Sequence, residues 1–170
     1  FFAIRGSKND GNRFVEEALK KKASIVVVNK IKKKLDYKKQ IKVIDSLKFL
    51  TETSTIFREN IDAKIIAITG SCGKTTLKEL LGKTLKKISK TTISPKSYNN
   101  KYGVPLSLFN LSKNDNYGVL EVGMDKKGEI DYLSKIIKPD ISVITNINYA
   151  HAKNFKNIKD IALAKSEIIS

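Results

Sequence analysis

Two glycines, a lysine and a threonine stand close together where an apolar run gives way to a helical pattern. The run Ile65–Ile68 leads into Thr-Gly-Ser-Cys-Gly-Lys-Thr-Thr at residues 69–76. A phosphate-binding loop needs glycines at a tight turn and backbone N–H groups at a helix start. It also needs a lysine that reaches the β- and γ-phosphates and a hydroxyl that holds Mg²⁺. Gly70, Gly73, Lys74 and Thr75 have these types in this order, so the segment predicts a nucleotide-phosphate loop.

Two positions in this segment leave choices open. Ile68 stands where the general pattern has a glycine, five residues before the Gly-Lys pair, so a shorter Thr-Gly-x-x-Gly-Lys-Thr-Thr pattern fits better than a general kinase or GTPase loop. Cys72 occupies a variable position of the loop. It is either a thiol activated by the helix start or a small side chain that the loop tolerates.

A carboxylate is expected near such a loop, because Mg²⁺ on a nucleotide usually takes an acidic ligand from the end of a neighbouring strand. Glu121 ends the apolar run 117–121 and is its only acidic residue. The alternative is a glutamate at a strand end with no such role. The sequence favours Glu121 as the metal ligand.

Amides and an imidazole follow other predicted strands. Asn99 and Asn100 precede Gly103 and could orient substrate or water, although Asn and Gly also favour ordinary turns. His151 is the only histidine and follows the run 144–147, and a lone histidine has either a structural or a functional role. Neither choice is settled by spacing alone.

The apolar pattern predicts an α/β fold with a doubly wound, mostly parallel sheet. Residues 1–44 read as part of a small α/β domain, and Asp45 is an expected N-cap for a joining helix over 45–60. Residues 61–170 read as a second, incomplete α/β domain. Its predicted strands cover 65–68, 91–94, 117–122 and 141–147, and its predicted helices 77–88, 104–111, 129–137 and 158 onward.

Composition excludes several classes of protein. No apolar run approaches the roughly 18 residues of a membrane span, and no signal peptide is visible. A single cysteine excludes a disulfide scaffold and a zinc site with several thiolates, so a reducing, cytoplasmic setting is expected. The net charge is +16, but thirty of the 33 basic residues are lysines. Scattered lysines favour a solvated basic surface over specific binding of nucleic acid, which relies more on arginine.

The loop at residues 69–76 resembles the ATP loop of the Mur ligases, the ATP-dependent amide-forming enzymes of peptidoglycan synthesis. Further segments are similar to the branch that adds D-alanyl-D-alanine to UDP-N-acetylmuramoyl-tripeptide. Two segments distinguish this branch from the others: Asn-Asn-Lys-Tyr-Gly-Val-Pro at 99–105 and Gly-Glu-Ile at 128–130. Four more segments are also similar to it: Glu-Val-Gly-Met at 121–124, Ile-Thr-Asn-Ile at 144–147, Ala-His at 150–151 and the run 162–168. Ser97 and Lys96 depart from the family, which commonly has Asn and Gly there.

The resemblance implies a domain organisation. Residues 1–44 would form the end of a UDP-sugar-binding domain, and residues 61–170 would form the beginning of the central ATP-binding domain. The branch that adds the third stem residue shares the N-terminal stretch, so that stretch does not distinguish the two branches. The rest of the enzyme would lie outside this chain, so the chain alone is expected to be inactive. The implied protein is a cytoplasmic monomer with no specific nucleic-acid partner.

The resemblance also implies residue roles. ATP phosphorylates the terminal carboxylate of the tripeptide, and the amine of D-alanyl-D-alanine attacks the acyl phosphate. Lys74, Lys165 and His151 would be catalytic, and Asn99 and Asn100 would lie on the phosphate side of the substrate. Two Mg²⁺ ions are implied, with Thr75, Glu121, His151 and a carbamylated Lys165 as ligands. The ATP-binding residues would be Gly70, Ser71, Cys72, Gly73, Lys74, Thr75 and Thr76.

Three other functions stay open. One is a related ligase, of another Mur branch or of the folylpolyglutamate type, with a different amine acceptor. A second is a nucleotide-binding switch or kinase, against which Ile68 and the amides at 99–100 count. A third is a basic nucleic-acid-binding module.

Overall fold

The computed structural model describes residues 1–6, 9–149 and 154–169. The chain divides into two compact units, Phe1–Thr53 and Ser54–Ser170. The predicted boundaries at 44/45 and 60/61 remain predictions.

The first unit is a small α/β layer. Its elements are a 3₁₀ turn Gly11–Phe14, helix α1 (Val15–Lys20), strand β1 (Val26–Val28), a 3₁₀ turn Tyr37–Lys39 and strand β2 (Gln40–Lys42). β1 and β2 pair in parallel, and Ala3, Val15, Val26 and Val28 form the core beneath them. Phe2 and Val27 form an isolated parallel bridge.

Helix α2 (Ser46–Glu59) begins where the sequence predicts. A carboxylate oxygen of Asp45 accepts hydrogen bonds from the backbone N–H groups of Leu47 at 2.8 Å and Lys48 at 3.0 Å. Asp45 therefore satisfies two N–H groups that have no acceptor within the helix, which is the role of an N-cap.

The second unit contains a four-stranded parallel sheet. Its elements are β3 (Lys64–Thr69), α3 (Lys74–Leu85), β4 (Thr91–Ile93), α4 (Gly103–Leu108), β5 (Tyr117–Glu121), α5 (Glu129–Ile137), β6 (Ile141–Ile144), α6 (Ile158–Ser166) and a 3₁₀ turn Glu167–Ile169. The strand order is β4-β5-β3-β6, and every pairing is parallel. The carboxyl ends of all four strands therefore lie along one edge.

Apolar side chains pack against both faces of this sheet. Successive side chains of β3 point in opposite directions, so alternate residues of the strand belong to different clusters. Ile66 and Ile68 pack with three leucines of α3, whereas Ile65 and Ala67 belong to a larger core with residues of α4, α5 and α6. The four side chains at 65–68 are all buried, so this part of β3 is continuously apolar rather than alternating. The predicted doubly wound α/β architecture is confirmed.

Some element bounds differ from the prediction. Helix α3 begins at Lys74 rather than 77, because Gly73 turns the chain directly into the helix before the apolar periodicity starts. β6 ends at Ile144 rather than 147, since the following residues bond to the loop after β3. No helix in the described part of the chain is both long and apolar enough to cross a membrane.

Candidate functional site

The loop between β3 and α3 has two positions that only glycine fits. Gly70 has a φ of 148°, and a Cβ atom there would lie 1.9 Å from Oγ1 of Thr145. Gly73 has a φ of 80°, in the left-handed region that side chains disfavour. These two residues let the backbone reverse at the end of β3 and enter α3 without strain.

The residues after β6 hold this loop in place. The backbone N–H of Ser71 donates to the carbonyl of Asn146, and that of Cys72 donates to the Asn146 side chain, both at 3.0 Å. The hydroxyl of Thr145 donates to the carbonyl of Cys72 at 2.6 Å. Since the N–H groups of Ser71 and Cys72 are engaged in this way, the first turn of α3 offers the N–H groups best placed for an anion.

Lys74 spans the loop from the first residue of α3. Its ammonium group donates to the carbonyl oxygens of Gly70 at 2.8 Å and Ser71 at 3.4 Å. Lys74 also lines the cavity described below. Its charge therefore lies at the mouth of the loop, where phosphate oxygens would be bound.

Glu121 lies at the carboxyl end of β5 and joins two of the predicted site residues. One carboxylate oxygen accepts from the hydroxyl of Thr75 at 2.7 Å, and the other accepts from the side-chain amide of Asn99 at 2.8 Å. Only 1% of Glu121 is exposed. The structure thus brings Thr75, Asn99 and Glu121 together, from three segments distant in sequence.

A cavity of about 350 Å³ opens beside these residues. Its volume is at the lower end of the range typical of small-molecule sites. Its lining includes Gly70, Lys74, Asn99, Asn100 and Lys165. It also includes larger side chains from the segments after β4 and β5 and from α5, namely Tyr102, Met124, Tyr132 and Leu133.

Lys165, on α6, is 2% exposed although it lines this cavity. Burial and, to a smaller extent, the nearby charge of Lys74 lower the pKa of its ammonium group to about 8, whereas Cys72 has the opposite effect. A substantial fraction of Lys165 is therefore an uncharged, nucleophilic amine near pH 8.

Replacing Lys165 by Met should stabilise the fold at pH 7, because the buried cation is removed and the shape is kept. A pKa of about 8 in place of 10.5 corresponds to an increase of about 3 kcal/mol in the free energy of unfolding. This difference in the free energy of unfolding should shrink as pH rises from 8 to 10.5. In that range Lys165 is already neutral in the folded protein, whereas in the unfolded chain it still holds a proton that it loses as pH rises. Urea unfolding of both proteins in carbon-dioxide-free buffer measures the difference. Equal stability of the two proteins at pH 7 would contradict the buried charge.

Thr75 and Glu121 fit the oxygen ligands that Mg²⁺ prefers, a hydroxyl and one carboxylate completed by phosphate oxygens and water. Among the residues that the structure describes, no group of three or more His, Cys, Asp and Glu side chains could hold a metal ion. A bound nucleotide would therefore have to supply part of the coordination shell. His151, the predicted ligand of a second ion, lies outside the described residues, and its role stays a prediction.

Sequence reasoning missed three residues of this region. Thr145 and Asn146 support the loop, and Lys78 on α3 is fully buried. A threonine and an asparagine at the end of a strand parallel to β3 are a usable signal, because the ends of parallel strands meet at one edge. A buried lysine among many exposed ones leaves no such signal.

Comparison with known proteins gives a consistent result. Residues 68–170 match the family described as the Mur ligase middle domain. The UDP-N-acetylmuramoyl-tripeptide–D-alanyl-D-alanine ligase of Buchnera aphidicola from Acyrthosiphon pisum is 42% identical over 171 aligned positions, which cover 100% of this chain and 37% of the relative. The ligase of the same name from Escherichia coli is 30% identical, with 100% and 37% covered.

Solved structures agree with these relatives. A crystal structure of MurF from Acinetobacter baumannii has a TM-score of 0.85 and 38% identity, and the match covers 99% of this chain and 37% of that one. MurF ligase from Thermotoga maritima in complex with ADP has a TM-score of 0.83 and 32% identity, with 99% and 39% covered. The chain therefore spans a little over a third of the length of these relatives.

Proposed function

The chain belongs to the Mur ligase family, and we propose that the full-length protein forms an amide bond between UDP-N-acetylmuramoyl-tripeptide and D-alanyl-D-alanine, converting ATP to ADP and phosphate. The two substrates are those in the names of the relatives. The observation that carries the proposal is the hydrogen bond between Thr75, the residue after the loop lysine, and Glu121. This contact places a hydroxyl and a carboxylate beside a phosphate-binding loop.

The reaction needs an activated carboxylate, because oxide is too poor a leaving group for direct attack by an amine. In the proposed sequence, an oxygen of the tripeptide's terminal carboxylate attacks the γ-phosphorus of ATP, and ADP leaves. The amine of D-alanyl-D-alanine then attacks the carbonyl carbon of the acyl phosphate, loses a proton and displaces inorganic phosphate. Catalysis of this kind depends on positioning and on charge neutralisation.

The residues of this chain have separate tasks in that sequence. Lys74 would exchange its loop carbonyls for phosphate oxygens and neutralise their charge. The N–H groups at the start of α3 would hold the same phosphates, and Thr75 and Glu121 would hold one Mg²⁺. Bound Mg²⁺ supplies further neutralisation of the phosphate oxygens during transfer. Asn99 and Asn100 line the cavity where the carboxylate of the tripeptide would approach.

Lys165 would act as a carbamate. Its neutral amine attacks carbon dioxide, an N–C bond forms and a proton is released, so a cationic side chain becomes anionic. The lowered pKa and the position beside Lys74 support this step, because an anion there would be paired with a cation. With His151, the carbamate would serve a second Mg²⁺. A cytoplasmic location and a monomeric state complete the proposal.

The test is ADP release by the full-length protein with ATP, Mg²⁺ and UDP-N-acetylmuramoyl-tripeptide. We expect release only when D-alanyl-D-alanine is added, with a preference of about 10²-fold or more over L-alanyl-L-alanine. Single amino acids serve as the alternative amine acceptors of other Mur branches, and folate with glutamate replaces both substrates to test for the folylpolyglutamate type. Rapid ADP release without any amine, or with one of these other acceptors in place of D-alanyl-D-alanine, would reject the proposed reaction.

A further inference from the structure

Lys78 is a fully buried lysine in the first turns of α3, with 0% of its side chain exposed. Its ammonium group donates to the carbonyl of Ser94 at 2.9 Å and to the carbonyl of Lys96, and lies 3.4 Å from the carboxylate of Glu79. A buried ammonium group is unfavourable unless its charge and donors are matched. Here the matching partners are backbone carbonyls at the end of β4, so Lys78 fixes the course of the loop that follows that strand.

That loop, residues 94–99, is also attached to β5. The hydroxyl of Ser94 accepts from the backbone N–H of Glu121 at 3.3 Å, and the carbonyl of Asn99 accepts from the N–H of Gly123 at 2.7 Å. Lys96 has a φ of 48°, a left-handed conformation uncommon for a residue with a side chain. The loop is thus a specific conformation held from two sides, by α3 and by the end of β5.

The contacts close into a ring. Asn99, at the end of the loop, donates to one carboxylate oxygen of Glu121, and Thr75 on α3 donates to the other. Thr75 and Lys78 are three residues apart, so they project from the same side of the helix. The first turns of α3 therefore contact Glu121 directly through Thr75 and indirectly through Lys78, the loop and Asn99.

We propose that Lys78 is a positioning residue for the Mg²⁺–nucleotide site, which acts by holding the loop so that Asn99 orients the carboxylate of Glu121. This inference rests on the proposed function only in requiring that the protein bind a nucleotide with Mg²⁺. Lys78 lies outside the cavity lining, so it acts on the ligand through Glu121 rather than by contact. Without it, Glu121 keeps Thr75 but loses the support that fixes its second oxygen.

Calorimetric binding of ADP to the full-length protein, with Mg²⁺ or with a chelator, tests this role. In Lys78→Met, the affinity for ADP without Mg²⁺ should stay within about twofold of wild type, because Lys74 and the start of α3 are unchanged. The gain in affinity on adding Mg²⁺ should fall about tenfold. Lys78→Arg, which keeps the charge and the donors, should retain part of that gain. Asn99→Ala should reduce this Mg²⁺-dependent gain by a similar factor. In the double variant, Lys78→Met should reduce the gain little beyond the effect of Asn99→Ala alone.

Two controls separate positioning from general destabilisation. Lys87→Met makes the same change at an exposed lysine just beyond the end of α3, and should leave both affinities unchanged. Ile137→Ala removes part of the core and should lower the melting temperature without changing the Mg²⁺-dependent gain.

The outcomes discriminate between the two proposals. The positioning role would be overturned if Lys78→Met left the Mg²⁺-dependent gain unchanged or lowered the affinity for ADP equally with and without Mg²⁺. It would also be overturned if the effects of Lys78→Met and Asn99→Ala on this gain were additive. A wild-type protein that does not bind ADP would instead reject the nucleotide site of the proposed function. One that binds ADP equally with and without Mg²⁺ would reject its Mg²⁺ site, and either result would remove the positioning role as well.

Discussion

Replacing Lys74 by Ala is expected to reduce the D-alanyl-D-alanine-dependent ADP release of the full-length protein by about 10³-fold, close to the largest effects of removing one preorganised donor. The physical reason is that the ammonium group already lies at the loop, where it donates to Gly70 and Ser71. Phosphate oxygens would replace those carbonyls as acceptors during transfer. Steady-state rates with saturating substrates measure the loss.

Two variants control this prediction. Lys83→Ala removes one positive charge from the exposed side of the same helix, and should keep turnover near the wild-type value. Lys74→Arg keeps the charge, but the larger planar guanidinium group does not fit the space of an ammonium at the loop, so it should not restore activity. Wild-type turnover in Lys74→Ala would refute the role of Lys74.

Replacing Lys165 by Ala is expected to abolish ligase activity, and a short carboxylic acid such as acetate should restore part of it. Truncation to Ala leaves space beside Lys74, and a carboxylate in that space supplies the anion that the carbamate would have provided. Rescue should saturate with acetate concentration in the ADP-release assay. Lys165→Met, which fills the same space with an apolar chain, is the matched control and should not be rescued.

The carbamate has a pH dependence that checks the same idea. With a pKa of about 8, roughly half of Lys165 is neutral at pH 8, and only a few per cent is neutral at pH 6.5. After removal of carbon dioxide, reactivation on adding it back should therefore be about tenfold faster at pH 8 than at pH 6.5. Full activity of Lys165→Ala without any added acid would contradict the assignment.

The sequence was most informative where backbone geometry restricts residue type. Gly70 and Gly73 adopt conformations that favour glycine, and the alternation of apolar runs with helical patterns marked every element of the second unit. Element bounds were less secure, because apolar periodicity reports burial rather than hydrogen bonding. Helix α3 therefore starts three residues before its first apolar position.

The roles of individual polar residues were less accessible. Glu121 was predicted as a metal ligand from its place at a strand end; the structure puts its carboxylate against Thr75, and its role toward a metal stays a prediction. Lys165 was found only through the resemblance to a family, because one lysine among thirty has no distinguishing pattern. Its burial, its lowered pKa and its place in the cavity beside Lys74 are tertiary properties.

By itself, the sequence determined the glycine-lysine loop at residues 69–76, the order of strands and helices along the chain and the family, because these depend on residues adjacent in the chain. Only the tertiary structure decided which distant side chains share a site. Asn99, Glu121 and Thr75 meet because parallel strands bring their carboxyl ends to one edge, whatever their separation in sequence. The burial of Lys78 was decided in the same way, because the carbonyls that accept its hydrogen bonds come from the loop after β4 and carry no side-chain signal.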